Sequence, residues 1–319
     1  MDSFRVSVII PIYNVEPYIK ACLQSLANQT WTESIECILI DDYGTDNSVE
    51  IAEHFIRDYK GNITFRICHH DENKGLSAAR NTGIRAAKGE YVYFLDSDDT
   101  IISNCIATFI KIIDKHPHVD LIQGLIDQDS VYMNQFINKN LPTFTESRKY
   151  IKRALLDYDE LPVCAANKMV RRNLIIENDI FFKEGIIHED NYWSFFLAKH
   201  VRSLAVYPEK CYLYAVNPKS ITKAVNLERE TNSHRVMIED FCNNVDDFMR
   251  GEQKRCIFLV LNSAISNHYY KAKDDRKYLV NCLSVQCNPI EKGLLSLWSS
   301  DSSIKTNVFR LLLKLFRLL

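Results

Sequence analysis

Tyr91-Val92-Tyr93-Phe94-Leu95-Asp96-Ser97-Asp98-Asp99 is an apolar run of strand length that ends in three carboxylates. A strand of this kind buries its side chains while its exit presents oxygen donors, the arrangement a hard divalent cation needs when it is shared with a phosphate. The same acids could serve as a cap for a helix over Thr100 to His116. Taken alone, the stretch leaves both readings open.

Upstream of it, short β-branched runs alternate with amphipathic segments, the pattern of β-α-β units feeding a mostly parallel sheet. Strands are expected at Val6 to Ile12, Glu36 to Asp41, Thr64 to Cys68, Tyr91 to Asp96 and Val119 to Gln123. Helices are expected at Glu16 to Asn28, Asn47 to Tyr59, Leu76 to Ala87 and Ile101 to His116. Ligands of open α/β sheets bind beyond the carboxyl ends of the strands. Three polar exits meet there: Pro11-Ile12-Tyr13-Asn14, Asp41-Asp42-Tyr43-Gly44-Thr45-Asp46, and Asp96 to Asp99. No G-x-G-x-x-G follows the first strand and no G-x-x-x-x-G-K-[ST] occurs, which argues against a dinucleotide enzyme or a P-loop NTPase.

The chain has 319 residues, 46% hydrophobic and 25% charged, ordinary for a folded soluble protein. Its net charge of -2 gives no reason to expect a nucleic-acid partner. Ten cysteines are scattered from Cys22 to Cys287 without a C-x-x-C pair, and they read as free thiols of a reducing compartment. The apolar run Val6 to Ile12 is short and interrupted by Pro11, so neither a signal peptide nor a membrane anchor is expected at this end.

Four motifs stand in order: Val6-Ser7-Val8-Ile9-Ile10-Pro11-Ile12-Tyr13-Asn14; Asp41-Asp42 with Gly44-Thr45-Asp46; Asn73-Lys74-Gly75-Leu76-Ser77-Ala78-Ala79-Arg80-Asn81-Thr82-Gly83; and Asp96-Ser97-Asp98-Asp99. Together they closely resemble the family 2 glycosyltransferases of bacterial glycan biosynthesis, densely over residues 5 to about 125 and more thinly to about 222. The resemblance implies a GT-A fold, a Rossmann-like α/β sheet flanked by helices. It also implies inverting transfer of a hexose or N-acetylhexosamine from a nucleotide diphosphate to a hydroxyl of a glycan or lipid-linked glycan. By the same resemblance Pro11, Tyr13, Asp41 and Asp42 line the base and ribose pocket, with Asp42 accepting from the base N–H. A carboxylate there suits a uracil imide, so a UDP-sugar is the expected donor. Arg80 lies near the donor phosphates or base oxygens. Asp96 and Asp98 form the D-x-D that holds Mg²⁺ or Mn²⁺, Asp98 as the direct ligand, with Asp99 as a brace for the loop.

An inverting displacement also needs a base within reach of the attacking hydroxyl. His188-Glu189-Asp190 resembles the family's Glu-Asp motif, which makes Asp190 the base and Glu189 the neighbour whose like charge raises its pKa. An acid pair opening a helix is the structural alternative for the two carboxylates, as it is for Asp41 and Asp42 before Asn47; Asp46 is assigned to such capping alone. His188 does not complete an H-E-x-x-H zinc motif, because position 192 is Tyr. Tyr13 could equally be a packing aromatic, and Arg80 a surface residue of its helix. Two weaker echoes of the family, Asn167 to Arg172 and Tyr214 to Ile221, follow; the second carries Ala215 where many relatives have Arg.

The expected organisation is a catalytic domain over 1–222, with a nucleotide-sugar half at 1–125 and an acceptor half at 126–222. A helical region follows at 223–305, with segments near 227–249, 252–271 and 273–285. In the tail, 306–319, Arg310, Lys314 and Arg317 fall at i, i+4 and i+7 among Leu, Phe and Val. A basic amphipathic helix of this kind suits an anionic membrane surface, and would place a cytoplasmic protein at the inner face of the cytoplasmic membrane. Packing onto its own protein or a partner is the alternative. Nucleotidyl transfer, which shares such a sheet, usually needs a glycine-rich basic loop after strand one, and Pro11 to Glu16 contains no glycine. A glycan-binding protein with a decayed site is the non-enzymatic alternative; Asp96, Asp98 and Asp190 speak against it.

Overall fold

A computed structural model of the protein describes residues 4–127, 142–156, 161–217 and 227–244. The chain divides into two compact units, residues 1–185 with 189–219, and residues 186–188 with 220–319.

In the first unit, β1 (Val6–Ile12), β2 (Ile35–Asp41), β3 (Thr64–His69) and β4 (Tyr91–Phe94) pair in parallel in the order β3-β2-β1-β4. Every residue of β1 and β4 is buried, as near-continuous apolar runs in a covered parallel sheet should be. The connections carry α1 (Ile19–Ala27), α2 (Ser48–Asp58) and α3 (Leu76–Ala86). The chain leaves β1 for β2 on one side and returns from β3 to β4 on the other. The carboxyl ends of β1 and β4 therefore flank the switch point at which a crevice opens.

Pro11 sits inside β1 at no cost to the ladder. The Ile9 carbonyl accepts from Leu95 N–H at 3.1 Å, so Pro11, two residues on, turns its missing donor to the same side. On that side β4 has already ended at Phe94, opposite Ile9. The approach of α3 to β1 depends on Gly83, where a Cβ would lie 2.4 Å from Ile9 Cγ2. Gly75 opens α3 at φ 87°, a left-handed conformation that favours glycine.

Past β4 the sheet becomes mixed. β8 (Lys168–Arg171) runs antiparallel between β4 and β6 (Leu121–Asp127), and β9 (Leu204–Leu213) lies parallel to β6. Two-residue strands, β5 (Thr100–Ile101) and β7 (Phe144–Thr145), pair antiparallel with β9. Helix α4 (Cys105–Lys115) precedes β6, and α5 (Arg148–Leu156), α6 (Arg172–Glu177) and α7 (Glu189–His200) complete the unit. The helix expected from Ile101 begins four residues later, because Thr100 and Ile101 are drawn into the sheet. Asp96, Asp98 and Asp99 consequently do not cap it: Asn104 occupies the N-cap position of α4 and makes no side-chain cap bond.

In the second unit α8 (Leu227–Asn243) is described, with Met237, Ile238 and Phe241 buried. The helices expected at 252–271 and 273–285, the basic tail and residues 128–141 lie outside the described residues. Among the described residues no helix is long and apolar enough to cross a membrane, and the seven described cysteines are free thiols.

Candidate active site

Helix α3 delivers Arg80 to the crevice, 2% exposed, where its guanidinium reaches three carboxylates. Nη2 lies 3.0 Å from Asp96 Oδ1, while Nη1 lies 3.0 Å from Glu189 Oε1 and 3.1 Å from Asp190 Oδ1. The Phe182 ring covers it at 5.2 Å. Arg80 is thus no surface residue: it joins the exit of β4 to the first turn of α7. Burial works against the Arg80 charge, but Asp190, Asp96 and Glu189 raise its pKa above the ordinary value. The Asp190 pKa is raised as well, which in a carboxyl favours the neutral form. Burial pushes it up to about 7, assisted by Glu189 and Asp96 and opposed by Arg80.

The position of Glu189 and Asp190 is fixed by Trp193, fully buried one turn on. Its Nε1 donates to the Ile180 carbonyl at 3.1 Å and its ring stacks on Phe182 at 4.7 Å. Both acids open α7, so the favourable end of the helix dipole is part of their environment as well. Lys168, the second residue of the Asn167 to Arg172 echo, is wholly buried and donates from Nζ to the carbonyls of Pro162 and Cys164, pinning the segment beside the crevice.

The acids after β4 divide by role. Asp99 is 1% exposed and accepts from Tyr212 Oη at 2.7 Å and Ala215 N–H at 2.8 Å. Tyr212 in turn accepts from Asp96 N–H at 3.1 Å. Asp99 is therefore a brace, and burial, followed by repulsion from Asp96, raises its pKa to about 8. Asp98 accepts from Asn217 Nδ2 at 3.1 Å, and burial raises it too. Ala215 contributes only its backbone, and Asn217, two residues on, reaches Asp98. Tyr212 is a site residue that sequence reasoning missed, and Asn217 lies in the Tyr214 to Ile221 echo without having been singled out there; each is more than a hundred residues from the acid it touches.

At the exits of β1 and β2, Tyr13 is 43% and Tyr43 57% exposed, while Pro11 is buried. Tyr13 is not a packing aromatic. Asp41 accepts from Tyr43 N–H and Gly44 N–H, and its Oδ2 lies 2.9 Å from His69 Nδ1. Asp46 accepts from Ser48 N–H and Oγ at the start of α2 and from Glu16 N–H, the capping role expected of it.

Asp42 departs from expectation. It is 3% exposed and takes four donors from one loop: Lys74 N–H and His70 Nδ1 at Oδ1, Gly75 N–H and Asn73 Nδ2 at Oδ2. A carboxylate has about four lone-pair positions, and here the loop that opens α3 fills them. In this arrangement the Asp42 carboxylate is committed to the loop that opens α3.

Asp96 and Asp98 offer hard oxygen donors side by side at a polar exit, chemistry that fits Mg²⁺ or Mn²⁺. Each keeps a second carboxylate oxygen besides the one bonded to Arg80 or Asn217.

Glycosyl transferase family 2 matches the chain over residues 7–178, more than half its length. The chain belongs to this family. The match takes in Arg80, Asp96 and, from Ser7 onward, the four motifs of this family 2 chain, and ends at residue 178, ahead of α7. Among curated relatives, the uncharacterized glycosyltransferase EpsJ of Bacillus subtilis is 34% identical over 229 residues, 68% of this chain. The chain spans 63% of the length of EpsJ and 66% of that of YibD, an uncharacterized glycosyltransferase of Escherichia coli. Among solved structures, residues 1–349 of S. aureus TarS in complex with UDP-GlcNAc superpose with a TM-score of 0.69 at 23% identity, covering 89% of this chain and 80% of that one. The fold is therefore GT-A. A mannosyltransferase of Pyrobaculum calidifontis in complex with GDP-Man and Mn²⁺ shares it more distantly, at a TM-score of 0.56 and 16% identity, over 97% of this chain and 87% of that one.

Proposed function

We propose that the protein is an inverting glycosyltransferase that moves a hexose or N-acetylhexosamine from a UDP-sugar to a hydroxyl of a glycan or lipid-linked glycan. The observation that carries this reading is the Arg80 bridge, which sets the donor-side acid Asp96 and the acceptor-side acid Asp190 on one guanidinium. TarS, solved with UDP-GlcNAc in the same fold, supports a uridine nucleotide as donor.

In this reading Tyr13 and Tyr43 offer aromatic faces to the base, with Pro11 lining the same pocket, and the loop held by Asp41 and Asp42 walls the ribose pocket. Asp190 accepts the proton of the attacking hydroxyl. A base works best with a pKa near the operating pH, and a carboxyl raised to about 7 meets that condition where an ordinary one does not. Arg80 holds the ionised carboxylate in place, and Glu189 keeps its basicity up. Mg²⁺ or Mn²⁺ held by Asp96 and Asp98 would offset the charge that gathers on the departing diphosphate.

The test is a thermal-shift screen of UDP-, GDP- and dTDP-sugars with Mn²⁺. A ligand at about 100 times its dissociation constant stabilises by about 2.7 kcal/mol. UDP-sugars should raise the melting temperature and release UDP on incubation with acceptor glycans. Stabilisation by a GDP- or dTDP-sugar alone would contradict the choice of donor.

A further inference from the structure

In the second unit His188 is not an isolated histidine. Residues 186–188 lie against one face of α8, where Glu230, Ser233 and His234 fall at i, i+3 and i+4. His188 Nε2 is 2.9 Å from Glu230 Oε2, and His234 Nδ1 lies 3.8 Å from the same oxygen. Ser233 Oγ accepts from Ile187 N–H at 3.0 Å and donates to the Arg229 carbonyl at 2.7 Å, so the turn is held to the helix independently of the imidazoles. His188 itself has φ 64°, a left-handed conformation uncommon outside glycine, which turns its ring toward the helix.

We propose that His188, Glu230 and His234 form a binding site for a transition-metal dication of the Zn²⁺ class. One ligand atom from each of the three lies within 4.8 Å of the other two. Ligands on a tetrahedral Zn²⁺ stand about 3.4 Å apart, so binding requires a contraction of up to about 1.4 Å, taken up by side-chain rotation at exposed His188. Two imidazoles and one carboxylate suit Zn²⁺ and disfavour Mg²⁺, which separates this site chemically from the oxygen donors Asp96 and Asp98. His234 Nδ1 donates to the Glu230 carbonyl at 2.8 Å, which fixes the tautomer and leaves the lone pair on Nε2. Orientation of a ligand ring by a backbone carbonyl is the usual outer support of a histidine ligand. His234 is 2% exposed and Glu230 8%, whereas the His188 side chain is 42% exposed, so solvent can reach the ion and fill a fourth position. The ion would cross-link residues 186–188 to α8 immediately before Glu189 in the chain. This inference does not depend on the glycosyltransferase reading.

The experiment uses the whole chain, freed of metal with EDTA and held in excess Mg²⁺ to occupy hard oxygen sites. Zn²⁺ is titrated against a chromophoric chelator, and Co²⁺ is followed by its d–d absorption. The wild type should bind one equivalent of Zn²⁺ more than His188→Asn, or bind it at least about tenfold more tightly, and Co²⁺ should give the intense spectrum of a low-coordinate nitrogen site. Asn tolerates the left-handed backbone, and Glu230→Gln gives a second variant that keeps the side-chain volume; both should melt like the wild type without Zn²⁺ and lose its stabilisation with it. Equal stoichiometry and affinity in the wild type and both variants would overturn the proposal and leave the cluster an ion pair.

Discussion

Replacing Arg80 by Met removes the guanidinium that Asp96, Glu189 and Asp190 share, while keeping side-chain length and much of the contact with Phe182. Deleting one partner of a buried ion pair costs about 3–5 kcal/mol. The three acids are 28%, 14% and 22% exposed, so water relieves part of the repulsion and the lower end, about 3 kcal/mol, is expected above neutral pH. The pH dependence is the sharper readout. Asp190 titrates at about 7 in the folded protein, above its unfolded value, so the native state holds a proton that the unfolded chain releases and stability falls as pH rises toward 7. Without Arg80 the Asp190 pKa moves higher and the fall continues beyond 7. Each further pH unit then adds about 1.4 kcal/mol to the gap between variant and wild type. The cost of Arg80→Met at about pH 8.5 should therefore exceed its cost at about pH 5.5 by about 2 kcal/mol, measured by urea unfolding of both proteins at both values. A cost independent of pH, or larger at the acid end, would refute the idea that Arg80 holds an otherwise unfavourable carboxylate cluster together.

Gly83→Ala should destabilise by about 1–3 kcal/mol in urea, because its Cβ meets Ile9, and Ile9→Ala in the same chain should recover part of the loss. Asp98→Ala should slow UDP release by about 10²-fold or more and abolish its response to added Mn²⁺; retained Mn²⁺ activation would move the cation elsewhere. Deleting Asn307 to Leu319 should release the protein from anionic vesicles in a flotation assay without changing UDP-sugar hydrolysis, and unchanged vesicle binding would reject a membrane role for the basic tail.

The parallel half of the sheet was legible because its strands carry their own evidence. Val6 to Ile12, broken only by Ser7 and Pro11, and Tyr91 to Leu95 are apolar runs that end in polar turns, so strand and exit are both local properties. In the mixed half only β6 is expected from the sequence, as a strand over Val119 to Gln123 that the structure places at Leu121–Asp127; β8, β9, β5 and β7 carry no such signal. β9 passes from buried Leu204 through exposed Glu209 and Lys210 to buried Cys211, and its pairing with β6 shifts register near Leu125. β5 and β7 are two residues each, too short for any periodicity. At the site, Asp96 and Asp98 stood out at a strand exit and Glu189 and Asp190 through their resemblance to the family's Glu-Asp motif, but the partners of these acids were not found. Tyr212 with Asp99, Asn217 with Asp98, and His188 with Glu230 are tertiary pairs without a shared motif. Asp42 shows the converse: the motif marked it as important, and only the geometry shows its carboxylate committed to the Asn73 to Gly75 loop.

The central claim is that Asp190 removes the acceptor proton in a crevice whose donor side is built separately from Asp96 and Asp98. Asp190→Asn tests it most directly, with UDP binding measured by calorimetry and sugar transfer by UDP release on the same preparation. Loss of a general base predicts a fall in transfer rate of about 10²- to 10⁴-fold with UDP affinity nearly unchanged. Transfer at the wild-type rate, or UDP affinity lost in step with transfer, would contradict it.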